Sequence, residues 1–332
     1  MGPSPTLVHT GLRTSASAGW WVSVGRALAT VAGTPALWLL GALGFLLRGG
    51  IVLLVVPVLV LPSPVAVRLL IGDNLGSAGL SPAFYLLVAV GAAALVALVL
   101  AGLLVAAYVE IASFERFMVA RQVTDGAQPA TARLDGGARQ RLVTGLFTVQ
   151  LLALSGLVAA AIPLVAGAVQ VTYAELLRPS QVGGGLYERV LGQLGGPLTL
   201  LLGVLLLVEL VSAVASRRLL RGAFANGGGP SPLRAVVGGL GSPLRRPLST
   251  LGTALIGWAI SLGLLLPVLW AIGLAWQVTR AALLEPQALS GAGLAGAVLA
   301  VIVLCAVWLG GLALAGLAAA LRAGLWSVEE LR

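Results

Sequence analysis

The chain has 332 residues, of which 59% are hydrophobic and only 9% charged, with a mean hydropathy of +1.04. A soluble domain carries about a quarter charged residues, so this composition excludes a water-facing globular surface and makes lipid part of the solvent. The net charge of +9 comes from arginine alone, with no lysine in the chain. The arginines flank apolar runs, which suits orientation on anionic lipid rather than nucleic-acid binding.

The apolar runs are continuous rather than alternating, so the expected class is all-α: a polytopic transmembrane helical bundle and not a barrel. Residues 1 to 19 read as a polar, disordered tail without the apolar core of a signal peptide. Trp20 to Val31 follows as an interfacial helix, with Trp21, Val24, Leu28 and Val31 at three- and four-residue steps. The alternative is that these are the first turns of the next helix. The first span runs from Pro35 to Leu61, interrupted at Arg48-Gly49-Gly50 and containing Pro57. The second runs from Pro82 to Tyr108 and ends in Glu110. Its Ala93, Ala97 and Ala101 form a small-residue stripe suited to close helix packing. Ile111 to Arg141 is the longest polar stretch.

Span three covers Leu142 to Tyr173 around Pro163, and span four covers Pro197 to Ser216. The latter carries Glu209 and is closed by Arg217, Arg218 and Arg221. The Arg217 to Ser249 loop has six arginines and a Gly227-Gly228-Gly229-Pro230 break. Span five, Thr250 to Val278, contains Pro267. Span six, Ala292 to Leu321, carries Cys305 and a Gly311, Ala315, Ala319 stripe. The expected organisation is a cytoplasmic tail and interfacial helix over 1–33, a six-span membrane domain over 34–322, and a cytoplasmic tail over 323–332. The membrane domain divides into hairpins at 34–110, 142–216 and 250–321.

Fifteen arginines fall on the side of the two termini and four on the other, with Arg48 inside a span. This asymmetry predicts cytoplasmic termini in a bacterial cytoplasmic membrane. Pro57, Pro163 and Pro267 recur in the odd-numbered spans. Val109-Glu110-Ile111-Ala112-Ser113 is echoed by Val208-Glu209-Leu210-Val211-Ser212. Three parallel helical-hairpin repeats of about 100 residues each follow from that spacing.

Arg26-Ala27-Leu28, then Thr34-Pro35-Ala36-Leu37-Trp38-Leu39-Leu40-Gly41, and again Arg245-Arg246-Pro247-Leu248 look like hairpin openings. They resemble those of a loosely defined family of six-span bacterial membrane proteins. That family is similar to the membrane domain attached to some glycerophosphoryl diester phosphodiesterases. The resemblance covers Ala18 to Leu321 and implies the six-span fold. It does not carry over phosphodiesterase activity, which belongs in those fusions to a soluble barrel with metal-binding carboxylates and histidines. These 332 residues offer His9 as their one histidine.

Arg48, Glu110 and Glu209 are the charges that the pattern places in or beside the hydrocarbon. Such charges are costly and usually face a bundle interior with a partner. They define a candidate intramembrane polar pocket in which Arg48 pairs with Glu110 or Glu209, able to take an anionic lipid headgroup or a small solute. A packing ion pair or snorkelling is the plainer alternative. Cys305 reads as a packed, inert thiol, and one cysteine and one histidine leave no disulfide, metal site or Ser-His triad. The glycine runs lack the strand and GK[ST] of a phosphate loop. No cofactor and no catalytic constellation are expected. The leading expectation is a non-catalytic membrane scaffold or accessory component, with the bilayer, anionic lipid and a membrane protein as partners. The alternative is a transporter or lipid carrier using the Arg/Glu pocket. An intramembrane enzyme resting on two glutamates comes last.

Overall fold

The computed structural model describes residues 19–58, 75–76, 79–124, 134–177, 186–226, 229–284 and 291–331. The N-terminal tail with His9, the end of the first expected span, most of the first connector, Arg133, Gly183–Gly185, Gly227–Gly228 and Arg332 lie outside them. The helices are α1 (Trp20–Ala32), α2 (Pro35–Phe45), α3 (Ile51–Val55), α4 (Pro82–Thr124), α5 (Gly136–Leu177), α6 (Leu186–Gln193), α7 (Gly195–Asn226), α8 (Pro232–Arg245), α9 (Pro247–Leu284) and α10 (Gly291–Leu331). A π-type turn over Leu46–Gly50 joins α2 to α3. A two-residue antiparallel ladder pairs Leu75 with Leu80.

Among the described residues six stretches are long and apolar enough to cross a membrane: Pro35–Val58, Pro82–Val123, Gly136–Ala174, Gly195–Ala225, Pro247–Leu284 and Gly293–Leu331. The chain is thus an all-α, multi-pass integral membrane protein, the only economical way to satisfy backbone hydrogen bonds in so apolar a sequence.

Five helices, α4, α5, α7, α9 and α10, outrun their expected ends. The polar stretch from Ile111 is helical at both ends: α4 continues into it to Thr124 and α5 starts at Gly136. Ile111, Phe114 and Phe117 are buried at three-residue steps, so an apolar face carries the helix on between charged positions. Helix α7 likewise runs past its arginines to Asn226, and α8 occupies the loop expected before α9. At the C-terminus α10 reaches Leu331, and Leu325, Trp326 and Val328 are buried where a solvated tail was expected.

The break between α1 and α2 settles the first helix. Gly33 and Thr34 separate the two, and Pro35 starts α2, where its missing N–H costs nothing. The Trp38 indole donates to the Val31 carbonyl at 2.8 Å and pins the junction. Of the expected lipid-facing stripe, Trp21 is exposed but Val24 and Val31 are buried against protein. Two other expectations also change. Ala93, Ala97 and Ala101 lie exposed on α4, where burial begins only at Leu103; an apolar helix in lipid needs no partner on that face. Cys305 is exposed rather than packed.

Contacts gather the chain into two compact units. One comprises residues 132–254 with the termini up to Trp20 and from Trp326. Here α5 packs along α7, and α7 packs on α8. Leu146, Val149, Val214, Leu219, Leu220 and Ala235 form its buried interior. The other comprises residues 21–131 and 255–325. In it α2 packs on α4, and Leu54, Val268 and Ile272 form a buried cluster with Phe45 and Trp308 against it. Helices α2 and α10 meet backbone to backbone at Gly41 and Gly316. A Cβ on Gly316 would lie 2.7 Å from the Ala42 methyl.

Candidate functional site

The most specific polar arrangement within the spans grows from the break in the first one. Helix α2 is apolar throughout and ends at Phe45. Arg48 then adopts φ −89°, ψ 17°, and Gly49 a left-handed φ of 90°, a conformation open to glycine at little cost. Gly50 follows with no room for a side chain, since a Cβ there would sit 2.5 Å from the Phe45 ring. Each glycine therefore has its own reason to be in the turn. A π-type turn inserts extra backbone into a helix and re-aims one side chain. Here that side chain is Arg48.

Arg48 donates from Nη2 to Oε2 of Glu110 on α4, forming an ion pair. Glu110 is buried among Ala106, Ala107 and Ile111, all 0% exposed, while the Arg48 side chain is 46% exposed. The pair is thus asymmetric: a carboxylate sealed in protein and a guanidinium reaching it from a more open position. An ionised carboxylate in such a place requires a partner, and the break in the span supplies it. Gly102 lets α4 approach the turn, since a Cβ there would lie 3.3 Å from the Leu47 carbonyl.

A third charge joins this neighbourhood. Arg322 of α10 donates from Nη1 to the Ser261 hydroxyl at 3.4 Å. Ser261 itself donates to the Gly257 carbonyl at 2.9 Å. The stem of Arg322 lies over Gly257, where a Cβ would stand 3.3 Å from its Cγ. Arg322 is close enough to Arg48 for their charges to repel. Arg322 was expected just past the end of the sixth span, among the arginines on the side of the termini. Its recruitment follows from the continuation of α10 past Leu321 to Leu331.

Glu209 belongs to the other unit, half-buried on α7, where its backbone carbonyl accepts the Ser212 hydroxyl at 3.1 Å. The ion pair that Arg48 makes is with Glu110. In Glu209's own unit a second polar cluster lies at the arginine-rich end of α7. Arg218 donates from Nε to Oε1 of Glu330 at 3.2 Å and from Nη2 to the Ser242 hydroxyl at 2.9 Å. Arg221 donates to the backbone carbonyl of Glu330. Gly238 on α8 makes room for the Arg218 guanidinium, which a Cβ would displace. Three helices, α7, α8 and the end of α10, are thereby tied by one arginine. The sequence shows the arginines but not Glu330 as their anchor.

With this geometry in place, comparison with known proteins finds no family model, no curated protein and no solved structure that matches the chain.

Proposed function

We propose that this integral membrane protein is a non-catalytic scaffold or accessory component of a bacterial cytoplasmic membrane. It holds both termini in the cytoplasm and is built from three parallel helical hairpins akin to the membrane domains fused to some glycerophosphoryl diester phosphodiesterases. The observation that carries the reading is the Arg218 cluster. It joins α7, α8 and Glu330 on the side where arginines concentrate, and so offers a preset cationic platform rather than a mobile loop. A platform of this kind suits a protein partner in the same membrane.

The test is purification in mild detergent with analysis of both bound protein and bound lipid. A scaffold brings down a protein partner in fixed ratio, and Arg218→Ala or Glu330→Ala weakens the capture. Recovery of the chain with lipid or solute and no protein refutes the scaffold.

A second reading, a lipid or small-solute carrier, is favoured by one observation: the span broken at Arg48 with its ion pair to Glu110. Irregular backbone at membrane depth is tolerated where it lines protein or a cavity, and it commonly marks a transport site. Under this reading a lipid co-purifies in fixed ratio and is lost in Glu110→Gln.

A further inference from the structure

Helix α8 has two faces with different fates. Ala235, Gly239 and Ser242 are buried, and a Cβ on Gly239 would stand 2.9 Å from the Val211 carbonyl of α7. Leu233, Val237, Leu240 and Leu244 recur at steps of four, three and four on the opposite face, and all four are exposed, Leu244 at 86%. Arg234 and Arg245 flank that stripe, and Arg246 follows where the helix ends. These three arginines are exposed, and among the described residues none of them is ion-paired. No acidic residue occurs between Arg217 and Ser249. The apolar stripe is therefore bordered by uncompensated positive charge alone.

The packing also fixes depth. Gly239 meets α7 at Val211, and Ser242 accepts from Arg218 at 2.9 Å. Between these two points α7 changes from apolar run to arginine cluster, at Ser216. Helix α8 thus crosses α7 where the span leaves the hydrocarbon. Fourteen residues make it about 21 Å long, too short to span and long enough to lie in the boundary layer.

We propose that α8 is an interfacial helix that seats Leu233, Val237, Leu240 and Leu244 at the boundary of acyl chains and headgroups, with Arg234, Arg245 and Arg246 binding the phosphates of anionic phospholipids. An amphipathic helix with a cationic border binds such a surface through buried apolar area and charge together. The inference names the lipid partner within the proposed function, but it stands on α8 and α7 alone. Failure to find a protein partner would sink the scaffold and leave it untouched.

The experiment uses the full chain in a Cys305→Ala background, with single cysteines in place of Leu233, Val237, Leu240, Leu244 or Gly241, each carrying a nitroxide. Gly241 lies seven residues from Arg234, on the same flank. The protein is placed in nanodiscs of phosphatidylcholine with or without phosphatidylglycerol. At the four stripe positions oxygen should relax the label more than a water-soluble nickel chelate does, with the order reversed at Gly241. Phosphatidylglycerol should deepen the stripe. The relative association of spin-labelled phosphatidylglycerol over phosphatidylcholine should fall by up to roughly five-fold for each arginine changed in Arg234→Gln, Arg245→Gln and Arg246→Gln. A stripe open to the nickel chelate would mean that α8 rides in water, and a stripe closed to both reagents would mean that protein, including a second copy of the chain, covers it. Either result overturns the proposal. Equal depth and equal lipid association in both compositions would overturn its anionic part.

Discussion

The Arg48 guanidinium closes on the buried carboxylate of Glu110, 62 residues away in sequence, because a two-glycine turn redirects it out of the first span. The turn and the pair meet in one residue: Arg48 is itself non-helical, and Gly49 after it takes the left-handed conformation.

Removing one member should therefore hurt more than removing both. Glu110→Ala leaves a guanidinium without its anion and should lower stability by about 1.5–3 kcal/mol, the range for hydrogen bonds to charged groups. The half-open position of Arg48 keeps the loss below that of a fully buried pair. In a double-mutant cycle with Arg48→Gln, unfolding in mixed detergent micelles should give a coupling of at least about 0.5 kcal/mol. Additive losses would show that the pair contributes nothing to folding.

The backbone contact of α2 with α10 makes a sharper steric prediction. Gly41→Ala places a methyl 3.0 Å from the Ala320 nitrogen and closer still to the Gly316 carbonyl. Neither is the movable end of a side chain, so the helices must separate. The expected cost is about 1–3 kcal/mol, the usual price of overpacking. Gly310→Ala is the control: nothing lies within 4 Å of its Cβ, and the change should be neutral or stabilise by up to about 1 kcal/mol. Thermal unfolding of both variants in one detergent decides the matter, and equal midpoints would refute the close crossing.

The same contrast explains what was legible beforehand. Six apolar runs announce themselves because lipid demands continuous apolar surface, and that demand is written locally. Arg48 and Glu110 stand out for the converse reason, since a charge in such a run is rare. The continuation of α4 to Thr124, the burial of Trp326 and the role of Arg322 were hidden. Each depends on a neighbouring helix covering an apolar face among charged residues, and no local pattern says whether that neighbour is there. For the same reason Ala93, Ala97 and Ala101 were expected to pack and are exposed, while Gly316, outside the expected stripe although next to Ala315, meets the α2 backbone.

Glu329 invites a substitution that should stabilise. Its side chain is buried, and Oε2 has no hydrogen-bond partner among the described residues, unlike the neighbouring Glu330, which holds Arg218. Replacing a buried group that lacks its partners by an apolar one of similar length removes a desolvation cost of about 1–3 kcal/mol. Glu329→Met should raise the unfolding midpoint, whereas Glu330→Met should lower it by breaking the arginine contacts. If both variants lose stability alike, Glu329 is satisfied by an interaction that the static structure does not contain.

Orientation can be read from two exposed positions on either side of one span. Gly192 in α6 and Ser231 just before α8 are both exposed, and α7 lies between them. The arginine asymmetry assigns Ser231 to the cytoplasm and Gly192 to the outside. In a Cys305→Ala background, a membrane-impermeant maleimide applied to intact spheroplasts should label Gly192→Cys and spare Ser231→Cys until the cells are lysed. Inverted labelling would turn the proposed orientation over while leaving six spans intact. Labelling of both from outside would mean that α7 does not cross. Then the apolar run that ends at Ser216 would have to be buried against protein, and its exposed residues Leu200, Leu202, Leu205 and Leu207 have no such cover within their own unit. The bilayer is the one medium that leaves this face satisfied, so the exposed leucines call for a crossing in one direction or the other, and the arginine asymmetry alone favours the first outcome over its inversion.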